Sequence, residues 1–167
     1  NGHEYQIQQA KLLTGAEHVI CFMSGNFLQR GIPAIADKHT RTEIALRCGV
    51  DAVFEIPFVY AASSARDYAH AAVCMMNVLD GIDYISFGAE CDDMELLQRI
   101  AELTVNEPPQ VSESIKKSVS AGISYGLARA AAISGYLQSQ NLTGYTSSDL
   151  DSILASPNNI LAIEYIA

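Results

Sequence analysis

The 167-residue chain carries 19 acidic against 10 basic side chains, a formal net charge of −9, with 49% hydrophobic and 17% charged residues. That length suits one domain of ordinary size, and that composition suits a cored globular protein rather than a disordered chain. The acidic balance excludes a surface that grips nucleic acid by charge alone, and charges interrupt every apolar stretch short of the roughly 20 residues a membrane span needs.

In chain order, residues 4–13 have helical patterning and close at Thr14-Gly15, where Gly suits the left-handed residue beyond a helix end. Residues 18–23 form an apolar run of strand length that stops at Ser24-Gly25, and a polar, glycine-bounded loop follows to Ile35. Asp37 has the character of an N-cap for a helix reaching about Cys48, with Gly49 as its stop. Residues 51–56 predict a second strand closed by Pro57. Ser63 or Ser64 caps a helix through Leu79, ended by Asp80-Gly81. Residues 84–87 predict a third strand, and Asp92 or Asp93 caps a helix whose Leu96, Leu97, Ile100 and Leu103 share one face. Beyond Asn106-Glu107-Pro108-Pro109 only helical patterns remain, over 111–121, 124–137, 147–155 and from Asn158. Ser156-Pro157 supplies a start signal there, Ser156 as the N-cap followed by Pro at the first helical position.

Strands alternating with helices imply parallel pairing through right-handed crossovers, hence an α/β, Rossmann-like doubly wound sheet over 1–106 followed by an all-helical segment over 107–167. Because the chain enters at a helix, this reading expects a further central strand ahead of Asn1. It also expects Cys21, Cys48, Cys74 and Cys91, which form no C-x-x-C pair, to be small buried apolar side chains in a reducing cytoplasm. Asn1-Gly2-His3-Glu4 has neither the basic region nor the apolar run of a signal peptide.

Ligands of open parallel sheets bind at the carboxyl ends of the strands. Four segments meet that edge: Asn1-Gly2-His3 at a helix start, Ser24 to Gly31, Glu55 to Ser64, and Gly88-Ala89-Glu90. Gly2 and Gly88 would admit close approach of a phosphate, and His3 would add a donor beside free helix-start N–H groups.

The residues at these places form a recognisable set. Gly2-His3 looks like the second half of an H-x-G-H motif. Met23-Ser24-Gly25-Asn26-Phe27-Leu28-Gln29-Arg30-Gly31-Ile32-Pro33-Ala34, then Asp37-Lys38 with Arg41, Glu55-Ile56-Pro57-Phe58 with Ser63 and Ala65, Phe87-Gly88-Ala89-Glu90, and Ser156-Pro157-Asn158-Asn159-Ile160-Leu161 with Ile163-Glu164-Tyr165 follow in order. Together they resemble the tRNA(Met) cytidine acetate ligase family of the HIGH-type nucleotidyltransferase superfamily, in its N-terminal catalytic domain.

The resemblance implies a HIGH-type nucleotidyltransferase fold and an ATP-dependent ligase. Such an enzyme forms acetyl-adenylate from acetate and ATP, then acetylates the wobble cytidine of elongator tRNA(Met) to N4-acetylcytidine. It implies His3 as the catalytic residue at the α-phosphate, with Asn1, Gly2, His3, Gly88, Asn158 and Asn159 as ATP contacts. Mg²⁺ would accompany the nucleotide, with no metal site built from protein ligands alone. Ser24, Gly25, Asn26, Arg30, Lys38 and Arg41 are candidates for phosphate, acetate or tRNA contacts. Their structural alternatives stand beside this: a closed turn for Ser24 and Asn26, a loop anchor for Arg30, and solvated charges on a helix face for Lys38 and Arg41. Glu90, Asp92 and Asp93 read as a capping cluster or as water-mediated Mg²⁺ partners. The family pattern further leads one to expect N-P-F-H before Gly2, with Asn1 as the intervening residue, an Arg-bearing motif beyond Ala167, and a more basic C-terminal region for tRNA. Two other readings fit parts of the pattern: an adenylyltransferase acting on a small phosphorylated metabolite, and a non-catalytic nucleotide-binding module.

Overall fold

The computed structural model describes residues 2–141 and 144–167, leaving aside the side chain of Arg30. The chain divides into two compact units, Asn1–Phe87 and Gly88–Ala167. They part at Phe87, whereas the sequence boundary falls after residue 106.

The first unit is built on two strands, β1 (Ile20–Ser24) and β2 (Ala52–Ile56), paired in parallel with Ile20 opposite Ala52 and Ser24 opposite Ile56. Phe22 and Phe54 are register partners whose rings stack at 5.5 Å, so an aromatic cross-strand pair pins the alignment. Helix α1 (Gly2–Thr14) precedes β1 and ends where Gly15 takes a φ of +70° and donates to Lys11 O at 2.9 Å. Asp51 ties this end of α1 to both strands: its carboxylate accepts from Val19 N at 2.7 Å and lies 3.9 Å from Lys11 Nζ and 3.5 Å from His18 Nδ1. The Val19 bond first, then His18 and Lys11, holds Asp51 below the usual carboxylate range. Helix α2 (Lys38–Arg47) starts at Asp37, whose side chain accepts from His39 N and Thr40 N as the sequence predicts. Gly49, at φ +102°, turns the chain into β2.

After Pro57 the chain makes a single helical turn, α3 (Phe58–Ala61), that the apolar pattern hides. Helix α4 (Ala65–Leu79) follows, capped by Ser64 rather than Ser63, and it buries Ala69, Ala71 and Ala72. It ends at Asp80 and Gly81, with φ of +53° and +75°.

The third predicted strand is a correction. Residues 84–87 are extended in sequence character but belong to no ladder, since β1 and β2 pair only with each other among the described residues. A strand exists only through a hydrogen-bonded neighbour, and Tyr84 and Ile85 stand 62% and 43% exposed.

The second unit is helical: α5 (Met94–Val105), α6 (Pro109–Ser120), α7 (Tyr125–Ser139), α8 (Ser147–Ala155) and α9 (Pro157–Ile166). Neighbours pack in sequence from α6 to α9, and α5 closes the set against α9. The predicted face of α5 is buried through Leu96, Leu97 and Ile100, with Ala101. Val111 and Ile115, Ala132, Ile133 and Leu137, and Leu150 complete the core from α6, α7 and α8. Asp93 is the cap of α5, accepting from Leu96 N at 3.0 Å and from the Tyr145 hydroxyl at 3.0 Å, which lowers Asp93 and raises Tyr145. Arg129 of α7 pairs with Glu164 of α9 at 2.8 Å, both largely shielded from solvent.

The cysteines are unpaired, and none is fully buried: Cys21, Cys48 and Cys91 are half-buried and Cys74 is exposed. No helix among the described residues is long and apolar enough to cross a membrane.

Candidate active site

Gly2 and His3 occupy the exposed first turn of α1, where N–H groups have no partner within the helix and the dipole is positive. The short link from Thr14 to Ile20 and the Lys11–Asp51 contact put the far end of α1 at the amino ends of the strands. The helix start therefore points toward their carboxyl ends. A Cβ added at Gly2 meets nothing within 4 Å, so a ligand has open space over that backbone. Asn1 lies outside the described residues.

At the carboxyl end of β1 the loop is held by side chains from α2 and β2. Arg41 donates through Nη2 to the carbonyls of Ser24, at 2.7 Å, and Gly25, and through Nε to Ala36 O at 3.2 Å. A planar guanidinium suits this fork of carbonyls as an ammonium would not. Arg41 is thus a half-buried loop anchor, and the reading of it as a solvated charge is corrected. Lys38 is not an unpartnered surface charge either. Its Nζ lies 2.6 Å from Glu55 Oε2, and its backbone N–H donates to Asn26 Oδ1 at 2.9 Å. Asn26 therefore closes the turn. Ser24 is 6% exposed. A Cβ at Gly25 would overlap the Glu55 carboxylate, so a larger residue there would displace that side chain. Ser24, Lys38, His39, Thr42 and Glu55 line a hollow of about 190 Å³ at this edge. The side chain of Arg30 lies outside the described residues.

In the second unit, Gly88 is exposed and has open space where a Cβ would stand. Two residues on, Glu90 reaches the first turn of α9. Its carboxylate accepts from Asn159 N at 2.9 Å, and from Asn158 N at 3.3 Å and Nδ2 at 2.9 Å. Asn159, 1% exposed, answers through Oδ1, which accepts from Glu90 N at 2.8 Å and Cys91 N at 2.9 Å, while Nδ2 donates to Ile153 O at 3.1 Å. Asn158 is exposed beside it. Ser156, expected to cap α9 with its side chain, instead donates its hydroxyl to Ser152 O at 2.9 Å, leaving Glu90 as the cap. Of the acidic cluster, Asp93 caps α5 and Glu90 caps α9. No group of three or more His, Cys, Asp or Glu stands ready for a metal among the described residues.

A family model for HIGH Nucleotidyl Transferase matches residues 1–167. The chain belongs to that family. Among curated HIGH nucleotidyl transferase relatives, a tRNA(Met) cytidine acetate ligase of Clostridium perfringens (strain ATCC 13124) is 44% identical over 164 residues, covering 98% of this chain and 40% of the relative. One of Halothermothrix orenii is 39% identical over 166 residues, covering 99% and 39%. A crystal structure of Thermotoga maritima TmcAL bound with alpha-thio ATP has a TM-score of 0.89 at 37% identity, covering 99% of this chain and 39% of that one. The chain thus spans about 40% of the length of the curated relatives it matches.

Two residues, one in each unit, escape a reading by type and spacing. Glu55 stands in the E-I-P-F pattern without a role, yet it pairs with Lys38 and its carboxylate lies against Gly25. Glu90 reads as a local cap, yet it caps a helix 69 residues away. The signal for Glu55 was Gly25, a glycine directly after a strand where another backbone or side chain approaches closely.

Proposed function

We propose that this chain is the catalytic part of an ATP-dependent acetate ligase that acetylates the wobble cytidine of elongator tRNA(Met) to N4-acetylcytidine. One observation carries the proposal: the fold is shared, at a TM-score of 0.89, with a TmcAL bound with alpha-thio ATP. An acetate oxygen attacks the α-phosphorus of ATP, the bond to the β-phosphate breaks, and pyrophosphate leaves. The exocyclic amine of cytidine then attacks the acetyl carbon, loses a proton and displaces AMP.

Neither step needs a covalent protein nucleophile. Both need charge stabilised on phosphate and reactants held in place. In this proposal Gly2 and His3, with Asn1, receive the phosphates at the start of α1. His3 is the catalytic residue, supporting negative charge on the α-phosphate. Gly88 and Asn158 meet the nucleotide in the second unit, where Asn159 is turned inward. The hollow beside Ser24, Gly25, Asn26 and Lys38 is proposed for acetate, and Arg30 for phosphate or tRNA. Mg²⁺ would come with the ATP phosphates, which usually bind it together with several waters and one or two carboxylates. A net charge of −9 makes this portion a poor platform for tRNA, so a more basic region of the full-length protein is proposed to supply that affinity. A cytoplasmic setting belongs to the proposal and agrees with the unpaired cysteines.

The test is pyrophosphate release from ATP by the full-length protein. Release that depends on acetate is expected, and His3→Ala should cut it about a hundredfold or more without loss of fold. Release that ignores acetate but follows a phosphorylated metabolite would establish the adenylyltransferase alternative. ATP binding with no turnover would leave only a binding module.

A further inference from the structure

The reciprocal contact between Glu90 and Asn159 has more structure than a helix cap requires. A lone carboxylate or serine at the start of α9 would satisfy its free N–H groups. Here the arrangement runs in both directions. Glu90 holds the backbone of Asn158 and Asn159, and the Asn159 side chain holds the backbone of Glu90 and Cys91. Two consecutive loop N–H groups converge on one side-chain oxygen that is shut off from water. The opposite end of the same amide is fixed to Ile153 O in the turn of α8. A side chain so enclosed, with partners at both ends of its amide, cannot rotate outward without leaving buried donors unpaired.

We infer that Glu90 and Asn159 are positioning residues for the nucleotide, locking the Gly88–Cys91 loop to the first turn of α9 so that Gly88 and Asn158 are presented to one ligand. The inference rests on the nucleotide role proposed above. Asn158 is the exposed member of the Asn pair, and its Nδ2 is oriented by Glu90 Oε1 at 2.9 Å. Gly88, two residues before the clasp, keeps open space above its backbone. Asn159 thereby acts from beneath the site.

The experiment compares the full-length protein with its Glu90→Ala and Glu90→Gln variants. It measures ATP affinity by calorimetry, and kcat with the separate KM values for ATP and acetate. Glu90→Ala should raise the dissociation constant and KM for ATP about tenfold or more, as loss of positioning does elsewhere, while KM for acetate stays within about twofold. Glu90→Gln keeps one acceptor oxygen and should recover part of the loss. It carries the test if the alanine variant does not fold. A purely structural role predicts fewer active molecules, hence lower kcat with KM for ATP unmoved, and that result overturns the inference. Equal increases in both KM values overturn it too. If the unsubstituted protein does not bind ATP, the nucleotide reading itself falls and takes this inference with it. Normal binding by both variants removes only the positioning role.

Discussion

The two units reach order by different means. In the helical unit, α5 to α8 each bury at least two large apolar side chains, and Leu97, Ile100, Leu137 and Leu150 are all but sealed from water. In the α/β unit, α1 and α2 bury no residue at all. Its geometry is fixed instead by side chains that grip backbone: Arg41 on three carbonyls, Asp51 on Val19, Asn26 on Lys38, Asp37 on the start of α2. Apolar packing carries no charge and responds little to pH, though denaturants weaken it, whereas polar grips respond to charge, pH and the loss of a single atom. The unit with the long loop signature therefore has the shape of a preorganised surface, and the helical unit that of a scaffold.

Truncation of the helical core should have the largest effect. Leu137→Ala and Leu97→Ala remove side chains 0% and 1% exposed and should each cost about 2–5 kcal/mol in urea unfolding. A cost below about 1 kcal/mol would break the contrast. Next comes Arg41→Ala, which strips three carbonyls of one charged donor and should cost about 2–3 kcal/mol. Arg41→Lys should recover little of it, because an ammonium cannot span the fork. Thr146→Ala removes the side-chain half of the capping box at α8, the bond Thr146 Oγ1 accepts from Asp149 N, and keeps the backbone bond from Thr146 N to Asp149 Oδ2, for about 1 kcal/mol. The Lys38–Glu55 pair, with side chains 36% and 46% exposed, should contribute at most about 1 kcal/mol in a double-mutant cycle and less in high salt.

The gentlest probe is acid. Asp37, through Thr40, Asp51, through Val19, and Asp67, through Ser63, are held below the ordinary carboxylate range in the α/β unit; Asp93 and Asp149 are lowered in the helical one. Lowered values mean stabilisation that is full above the unfolded value of about 3.9 and is lost as pH falls through the folded values. Thermal melts should be flat near neutrality and drop below about pH 4. Asp51→Asn should reduce that drop.

What the sequence makes legible is local. Asp37 and Gly49 delimit α2, Ser64 starts α4, and the spacing of Leu96, Leu97 and Ile100 marks the face α5 buries, because each depends on neighbours within a turn or two. Residues 84–87 have strand composition, but a ladder needs a partner from elsewhere in the chain, which composition does not supply. α3 is a single turn after Pro57 whose apolar residues continue the strand pattern. The site divides in the same way. Gly2 and His3 stand at an element end that periodicity locates, whereas Gly88 follows a segment that periodicity takes for a strand and that forms none. The loop anchor Arg41 and the partners Glu55 and Glu90 follow from how 16-residue to 69-residue separations fold back, and no local rule reaches that far.

The clasp between Glu90 and Asn159 closes 69 residues of chain. Such a contact gains nothing until the helices between have collapsed, so its entropy of closure places it late on the folding path. The same contact is then an early one to open when the helical unit is perturbed. Under the nucleotide role proposed for the Gly88 loop, its occupancy would thus report on completed folding: a chain still assembling would not yet hold nucleotide, and one beginning to come apart would release it while most of its helices persist.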